Sequence, residues 1–280
     1  MRLYPVYVIL TSGIENILGK NLKILISNDD GINSEGIFAL AESLSEIAEI
    51  TVVAPLMEQS AVGHAITMQI PLRVTKSYKE GKFFGYAVNG TPADCIKIGI
   101  RNIMKEPPDL VVSGINHGSN TAINIIYSGT VSAAREAAIM DVPAMAVSVT
   151  NHDVKDFKFA AKLTKLLAKE IAGKDIPKGT LLNVNVPDVD ENDIAGIILT
   201  KQGKSKWDDI YEQRIDPYGR DYYWLTGNLM EVDKEIEIDQ VAIKKNYVSV
   251  SPIHFDLTDY ETFKKMKTWN IEHLLNGKKN

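Results

Sequence analysis

Two adjacent carboxylates follow the first regular apolar stretch of the chain. Asp29 and Asp30 come directly after Leu22–Ser27, an isoleucine-rich run that ends in the turn sequence Asn28-Asp29-Asp30-Gly31. Carboxylates this close repel each other, and partial burial at the end of a strand strengthens the repulsion, so a divalent cation is one way to balance them. The alternative is that one Asp caps the following helix while the other is solvated. The acidic pair is therefore compatible with a metal site and with the start of a helix.

A second group of polar residues combines glycines, amides and hydroxyls. Asn116 and Asn120 supply amide oxygens, while Ser128, Gly129 and Thr130 supply hydroxyls and N–H groups at a predicted helix start. Glycines among them let the backbone approach a ligand closely. This chemistry favours a phosphate cradle over an irregular loop closed by Asx-turns. The two stretches are Ser113-Gly114-Ile115-Asn116-His117-Gly118-Ser119-Asn120 and Tyr127-Ser128-Gly129-Thr130.

Three further residues give weaker signals when each is taken alone. Ser60, in the loop Glu58–His64, is explained as a turn residue, and Thr91 as the N-cap of a helix that Pro92 opens. His117 can donate to a phosphate or protonate a leaving group, and a surface role fits it equally well. The spacing of the five histidines does not suit any two of them to chelating one metal ion.

Alternating strand and helix patterns position these residues. The alternation predicts an α/β fold with a doubly wound, mostly parallel, Rossmann-like sheet, whose ligands bind beyond the carboxyl ends of the strands. Apolar runs predict strands at Leu22–Ser27, Ile50–Ala54, Phe83–Val88, Leu110–Ser113, Ala144–Ser148 and Leu181–Val186. Helical spacing predicts helices from an N-cap at Ser34 to Ala48 and at Pro92–Met104, Val131–Met140 and Phe157–Ile171.

The turn after the first strand excludes several phosphate-binding classes. A dinucleotide-binding fold would have G-x-G-x-x-G there and a P-loop enzyme G-x-x-x-x-G-K-[ST], and neither occurs. The D-x-D of haloacid-dehalogenase phosphatases is also missing. Response-regulator receivers do place adjacent acids after the first strand, but the later strand ends at Pro55 and Gly114 lack the Asp that such a receiver phosphorylates.

Composition limits the class of protein further. The chain has 280 residues, a net charge of −5 and a hydrophobic fraction of 45%, as an ordinary globular enzyme does. We expect no nucleic-acid polymer as partner, because Lys and Arg do not cluster, and no membrane span, because apolar runs stay short. The single cysteine, Cys95, rules out a disulfide framework or a multi-cysteine zinc site and predicts a reducing, cytoplasmic compartment.

The first residues stand apart from this pattern. Arg2 and the apolar run Leu3–Leu10 resemble a short signal peptide, but Pro5 interrupts the run and no small-x-small cleavage site follows. An extra strand or an imprecise translation start explains them better than export does. We therefore predict an N-terminal appendage at 1–21, an α/β core at 22–192, and a C-terminal region at 193–280 within the same domain.

Five motifs in order resemble the survival-protein SurE family of metal-dependent 5'/3'-nucleotidases. No single motif is decisive, but their order makes chance agreement improbable, and the resemblance extends from Lys23 to about Leu257. The motifs are Ser27-Asn28-Asp29-Asp30-Gly31, Ser60-Ala61-Val62-Gly63-His64, Gly90-Thr91-Pro92-Ala93-Asp94, Ser113-Gly114-Ile115-Asn116-His117-Gly118-Ser119-Asn120 and Tyr127-Ser128-Gly129-Thr130-Val131-Ser132-Ala133-Ala134.

The resemblance implies hydrolysis of nucleoside monophosphates at one divalent metal ion per subunit. The metal ligands that it implies are Asp29, Asp30, Ser60 and Asn116. These are hard oxygen ligands, which suit Mg²⁺ or Mn²⁺ and leave about two octahedral positions for water and a phosphate oxygen. Within this scheme Asn116 and Asp30 are the catalytic candidates, with Asp30 as proton acceptor, while Asn120, Ser128, Gly129 and Thr130 bind the phosphate.

The C-terminal region departs from the strand–helix alternation. Six Trp and Tyr residues lie between Lys206 and Leu225, a density typical of a small second core or of a subunit interface. The resemblance implies extended hairpins used in oligomerisation, so we expect a homodimer or homotetramer. Further on, the alternation Glu235–Asp239 predicts a strand with one solvated face, and the residues from Tyr260 predict a surface helix followed by a frayed end.

Two other classes of function compete with a phosphomonoesterase. A receiver-like signalling module explains Asp29 and Asp30 but not the loops at Asn116 and Ser128. A metal-free nucleotide-binding protein explains the phosphate cradle but not two carboxylates beside an anion. A phosphatase assay with and without chelator discriminates among the three.

Overall fold

A nine-stranded sheet organises the part of the chain that the structure describes. The computed structural model describes residues 22–154, 156–269 and 271–275. The strands are β1 (Lys23–Ser27), β2 (Glu49–Pro55), β3 (Val74–Lys79), β4 (Lys82–Val88), β5 (Leu110–His117), β6 (Ala144–Val149), β7 (Thr180–Val186), β8 (Gly196–Leu199), β9 (Lys206–Ile215), β10 (Asp221–Met230) and β11 (Tyr247–His254). Their order in the large sheet is β3-β4-β2-β1-β5-β6-β7-β11-β8, with β9 and β10 forming a separate antiparallel hairpin. The large sheet is parallel except where β3 meets β4 and where β11 meets β7.

Helices cover both faces of this sheet. Ile24 and Ile26 of β1 pack with α1 and α5 into one apolar core, and Leu25 packs with α2 and α4 into another. A strand buried on both faces needs a continuous apolar run, which is what the sequence of β1 provides. The helices are α1 (Glu35–Ser45), α2 (Pro92–Ile98), α3 (Asn124–Tyr127), α4 (Gly129–Ile139), α5 (Lys158–Ile171), α6 (Asp239–Lys244) and α7 (Tyr260–Met266). The predicted doubly wound α/β fold is confirmed.

The winding direction reverses at β1. This strand pairs with β2 on one side and with β5 on the other, both in parallel. The chain moves outward from β1 through β2 to β4, then crosses back to place β5 on the opposite side of β1. Such a reversal opens a crevice beyond the carboxyl ends of the strands. Asp29 and Asp30 follow β1 directly and so lie in that crevice.

Strand β5 is longer than the sequence predicts. It runs to His117 rather than ending at Ser113, so that Asn116 lies within a strand and not in a loop. Pairing with β6 shifts register between Ser113 and Asn116, where Gly114 adopts a φ of 139°. A Cβ on Gly114 would lie 2.4 Å from the carbonyl oxygen of Val147, so only glycine fits there. The glycine-rich sequence indicated a loop, whereas it produces a distorted strand that continues past the irregularity.

Other predicted elements need smaller corrections. The helix predicted over Pro92–Met104 is α-helical only to Ile98 and then continues as a π-helix over Gly99–Ile103. The strand predicted at Glu235–Asp239 is wrong: Ile238 forms only an isolated bridge to Lys201, and Asp239 begins α6. Acidic and apolar residues alternate there with the period of a strand. Asp239, however, is fully buried and accepts backbone hydrogen bonds instead of facing solvent.

The C-terminal region divides into strands that join the large sheet and a hairpin that does not. Strands β8 and β11 extend the sheet beyond residue 192. The division predicted at this residue, between two regions of one domain, stays a prediction. Helix α7 is exposed, as predicted, and short 3-10 turns follow at Lys267–Trp269 and Ile271–Leu274. The predicted appendage at 1–21 and the predicted frayed end at 277–280 lie outside the described residues. Within the described ranges, no helix has the length and apolarity needed to cross a membrane.

Candidate active site

The carboxyl ends of β1, β2 and β5 meet at the crevice, and backbone hydrogen bonds hold their loops together. The N–H of Ile32 donates to the carbonyl of Pro55 at 2.8 Å, and the N–H of Gln59 donates to the carbonyl of Asp29 at 2.7 Å. Asn28 fixes the turn after β1 by donating to the carbonyl of Gly31 at 3.0 Å and to Oγ of Ser34 at 2.7 Å. The acidic turn and the start of the loop after β2 therefore form one unit.

Asp29 lies against the N-terminus of α4. It is 6% exposed, and the hydroxyl of Thr130 donates to its Oδ1. A Cβ on Gly129 would lie 2.7 Å from Cβ of Asp29 and 2.9 Å from its Oδ2, so the helix can approach this closely only because residue 129 is glycine. Burial raises the pKa of Asp29, and the hydrogen bond from Thr130 opposes that rise. The carboxylate is thus held in place by the segment that the sequence predicts to bind phosphate.

Asp30 has one partnered and one unpartnered carboxylate oxygen. Its Oδ1 lies 3.0 Å from Nε2 of His117, and its Oδ2 is buried with no hydrogen-bond partner among the described residues. Burial, followed by the negative charges of Asp29 and Glu58, raises the pKa of Asp30 to about 8. An ionised carboxylate here lacks the positive charge that its surroundings would need to stabilise it. His117 is therefore a partner of the acidic pair and not a separate surface residue.

Ser60 lies on the exposed loop between β2 and β3. Its hydroxyl donates to Oε1 of Glu58 at 2.5 Å, and the charge of Glu58 acts on Asp30. Gln59, between the two, bonds to the backbone of Asp29. Ser60 is thus flanked by two residues that interact with the acidic pair, which places it at the same crevice.

Ion pairs to the buried carboxylate of Glu136 anchor the far side of this loop. Nε2 of His64 lies 2.8 Å from Oε2 of Glu136 on α4, and Nζ of Lys97 on α2 lies 2.6 Å from Oε1 of the same carboxylate. The Glu136 side chain is only 4% exposed. Burial raises its pKa, but the hydrogen bonds from His64 and Lys97 outweigh burial and hold the pKa below its usual value. The N–H of Gly63 adds a bond of 2.9 Å to the carbonyl of Tyr127.

Asn116 and Asn120 are both buried, but their side chains are used differently. Asn116 donates its amide nitrogen to the carbonyl of Gly118 at 2.7 Å, which leaves its amide oxygen as the atom suited to a cation. Asn120 donates its amide nitrogen to Oγ of Ser148 at 2.8 Å. Ser148 is the register partner of Asn116 across β5 and β6, so both amides lie in one neighbourhood.

The start of α4 combines a helix cap with N–H groups that the helix does not use. The hydroxyl of Ser128 accepts from the N–H of Val131 at 3.0 Å, as an N-cap does, so this oxygen is already engaged. The N–H groups of Gly129 and Thr130 belong to the first turn, where a helix has no internal acceptor for them. The N–H of Thr130 donates to the carboxylate of Asp29, so Asp29 is one anion at this positive end of the helix dipole.

The donor set fits a hard divalent cation. Within the described residues, no three His, Cys, Asp or Glu side chains converge in a metal-binding cluster. The hydroxyl oxygen of Ser60 and the amide oxygen of Asn116 add further hard donors to the two carboxylates of this crevice. A cation in contact with the unpartnered Oδ2 of Asp30 would stabilise the ionised form of the two Asp residues, whose pKa burial raises. Oxygen-only ligands favour Mg²⁺ or Mn²⁺ over zinc or copper.

Comparison with known proteins gives the family. A sequence model of the family described as Survival protein SurE matches residues 24–209. The chain belongs to the survival protein SurE family. The 5'-nucleotidase SurE of Chlorobaculum tepidum is 46% identical over 252 residues, covering 90% of this chain and 96% of that protein. The 5'-nucleotidase SurE of Syntrophobacter fumaroxidans is 47% identical over 250 residues, covering 89% of this chain and all of that protein.

A solved structure agrees with the SurE assignment. The crystal structure of the SurE protein from Aquifex aeolicus superposes with a TM-score of 0.77 at 40% sequence identity. The comparison covers 88% of this chain and 99% of that one. The resemblance read from five short motifs is thereby confirmed at the level of family and fold.

Two charged residues contact the candidate site or its loop and were not identified from the motifs alone. Glu58 brings a third negative charge to Asp30, and Glu136 anchors the loop of Ser60. Glu58 lies two residues before Ser60 in a loop that follows a strand, so its position could have identified it as a residue near the site. Glu136 gave no such signal, because a glutamate within a helix is ordinarily a solvent-facing residue.

Proposed function

We propose that the protein is a 5'-nucleotidase that hydrolyses nucleoside 5'-monophosphates, and also 3'-monophosphates, at one bound Mg²⁺ or Mn²⁺ ion. Relatives named 5'-nucleotidase SurE, 46% and 47% identical over about nine-tenths of this chain, support the reaction class. The observation that carries the proposal is the buried acidic pair beside the N-terminus of α4. The acidic pair needs a cation and the N-terminus of α4 suits an anion, so one crevice combines both kinds of group.

Each residue of the proposed site has a defined task. Asp29, Asp30, Ser60 and Asn116 would hold the cation, which when bound polarises a phosphoryl oxygen and lowers the pKa of water. The phosphate oxygens would be bound by the N–H of Gly129, by Asn120 and Thr130, and by the O–H of Ser128, which can donate while its oxygen caps α4. The N–H of Thr130 would be shared with Asp29. These contacts strengthen as charge redistributes. Asp30 accepts the proton of the attacking water, and His117 at 3.0 Å orients that carboxylate.

A metal-free nucleotide-binding protein is the alternative, and the charges of the site disfavour it. Asp29, Asp30 and Glu58 would repel a phosphate that no cation accompanies. The test is phosphate release from a panel of nucleoside 5'- and 3'-monophosphates with added Mn²⁺ or Mg²⁺ and with chelator. We expect turnover with metal and loss of turnover with chelator. Absence of phosphate release from every nucleotide with ample metal would refute the proposal.

We also propose a homodimer or homotetramer in which the β9–β10 hairpin forms the contact. Residues directly opposite in an antiparallel pair share a face, so the register Tyr211 to Leu225 and Gln213 to Tyr223 defines one face of the hairpin. That face carries six large apolar or aromatic side chains: Trp207, Tyr211, Ile215, Tyr223, Leu225 and Leu229. A two-stranded hairpin is marginal alone in water, and an apolar face of this extent is typical of an interface.

The single buried thiol of Cys95 supports a cytoplasmic location.

A further inference from the structure

A short buried loop connects β5 to the phosphate-binding helix start. Residues 118–123 lead from Gly118 into α3, and Thr121 and Ala122 are almost fully buried. Ala122 has a φ of 47°, in the left-handed region that an alanine rarely adopts. Buried backbone outside a helix or sheet must find its hydrogen bonds elsewhere. The conformation of this loop therefore depends on what its backbone groups contact.

Side chains from two other segments bind those backbone groups. The N–H of Asn120 donates to Oδ1 of Asn185 at 2.8 Å, and its carbonyl accepts from Nδ2 of Asn185 at 3.1 Å and of Asn183 at 2.7 Å. The N–H of Ala122 donates to Oδ2 of Asp239 at 2.9 Å. The carbonyl of Ala122 accepts from Nε2 of Gln202 at 2.8 Å. Side chains thus bind both polar groups of both residues, and one backbone donor, the N–H of Ile125, also lies 3.4 Å from the carbonyl of Ala122.

Three of these four side chains are otherwise hard to explain, because they are fully buried, whereas Gln202 is exposed. Asn183 and Asn185 lie in the middle of β7, fully buried where an apolar strand residue is usual. Asp239 is fully buried and also accepts from the N–H groups of Gly203 and Gln240 at 3.0 and 2.8 Å. A buried amide or carboxylate is costly unless its polar atoms are bonded, and Oδ1 of Asn183 has no partner among the described residues. Their presence is consistent with a requirement for the loop conformation that they impose.

We infer that four side chains form a polar clamp that positions the loop 118–123, which carries Asn120 of the proposed phosphate site. The four are Asn183, Asn185, Gln202 and Asp239, and the inference rests on the proposed function. They are positioning residues, since they act through the backbone of Asn120 and Ala122. Strained backbone persists only where its surroundings fix it, and the clamp supplies that constraint at Ala122. Nε1 of Trp207 donates to Oδ1 of Asn124 at 2.9 Å, so the base of the hairpin contacts α3, the helix that follows this loop.

Two substitutions test the clamp without touching the metal ligands. In Asp239→Asn, the amide oxygen can keep the bonds to Gly203 and Gln240. The NH₂ group then faces the N–H of Ala122, and because both are donors, that hydrogen bond is lost. Gln202→Ala removes the donor to the carbonyl of Ala122 at an exposed position, so this variant should fold even if the first does not. Asp233→Asn is the matched control, because Asp233 accepts from Lys204 in the same segment instead of from the loop.

The measurements are amide hydrogen exchange at residues 118–124, calorimetric binding of inorganic phosphate, binding of Mn²⁺, and steady-state kinetics. In both clamp variants we expect faster exchange in the loop and about tenfold weaker phosphate binding, with KM raised by the same factor, as for the loss of roughly one hydrogen bond of positioning. Mn²⁺ affinity and kcat should stay at the wild-type values, and Asp233→Asn should match wild type throughout.

Three results would overturn the inference. They are wild-type exchange and phosphate affinity in the folded variants, faster exchange with unchanged phosphate affinity, and a wild-type protein that binds no phosphate. Phosphate binding is measured without turnover, so the proposed function is tested separately. A wild-type protein that binds phosphate at this loop but hydrolyses no nucleotide would refute the nucleotidase and leave the clamp standing.

Discussion

The α/β sheet has its apolar surface covered by helices, whereas the β9–β10 hairpin leaves its apolar face exposed. In the sheet, β1 and β5 are buried by helices on both faces, and the site lies where their ends are held by backbone hydrogen bonds. In the hairpin, all ten residues of β9 are exposed, as are Tyr223 and Leu225 on β10. The first region can hold catalytic groups because its own core fixes them. We propose that a partner subunit covers the second region, and we therefore expect assembly and chemistry to be separable.

The largest effect should come from the acidic pair in the sheet region. Asp29→Asn and Asp30→Asn each remove a ligand charge at nearly constant volume, so turnover should fall about 100-fold or more. Metal-free Asp30→Asn should unfold at the same temperature as wild type or higher, because a buried carboxylate without a partner for one oxygen is lost. Phosphate release and thermal unfolding check both statements.

Mn²⁺ addition and a distant Asp provide the controls for the acidic pair. At about 100 times its dissociation constant, a ligand stabilises the native state by about 2.7 kcal/mol, or roughly 5 °C in a chain of this size. We expect that shift in wild type and in Asp175→Asn, an exposed residue after α5, and its loss in the two site variants. Wild-type rates in both site variants would show that the metal assignment is wrong.

The next effect concerns the contact between α4 and Asp29. In Gly129→Val the new Cβ would lie 2.7 Å from Cβ of Asp29, so the helix start must move away from the carboxylate. We expect about 1–3 kcal/mol of destabilisation and weaker binding of both metal and inorganic phosphate. Calorimetry with each ligand measures this. A folded variant with unchanged phosphate affinity would show that the helix start has only a structural role.

A hairpin substitution should affect assembly and spare the chemistry. Leu225→Lys places a charge on the apolar face of the hairpin and should weaken self-association by about 2 kcal/mol, roughly 30-fold. Ile210→Lys is the matched control, since Ile210 is an exposed apolar residue on the opposite face. Sedimentation measures association, and phosphate release should be retained in both. Wild-type protein sedimenting as a monomer of 31.0 kDa would contradict the oligomer, and equal effects of both lysines would contradict the choice of face.

The smallest effect is expected where the sheet region holds the exposed loop of Ser60. Glu136→Gln removes the charge that binds His64 and Lys97, so the loop should be less well fixed and Mn²⁺ binding weaker by about tenfold. Inorganic phosphate binding should stay unchanged, because the start of α4 keeps its cap at Ser128. Glu35→Gln, at an exposed position on α1, is the control. An unchanged Mn²⁺ affinity would mean that Glu136 stabilises the fold without acting on the site.

Local sequence determined the elements and most of the candidate site. Apolar runs and caps indicated β1 and the start of α2, where Thr91 is the N-cap as predicted and Asp94 completes a reciprocal cap. The strand–helix alternation was sufficient to place Asp29, Ser60 and Asn116 at one sheet edge, because parallel strands share their carboxyl ends. The edge strand β3 was not predicted, since its residues are largely exposed and carry no apolar period.

Tertiary structure decided which polar atoms meet. The distance from His117 to Asp30, the third charge at Glu58 and the burial of Glu136 depend on loops from different strands, and spacing along the chain does not encode such contacts. The same holds for Asn185 and Asp239, which the sequence alone would assign to a buried strand and a solvated acid. Local pattern follows from covalent geometry and hydrophobic period, whereas the charge around a buried group follows from everything that packs against it.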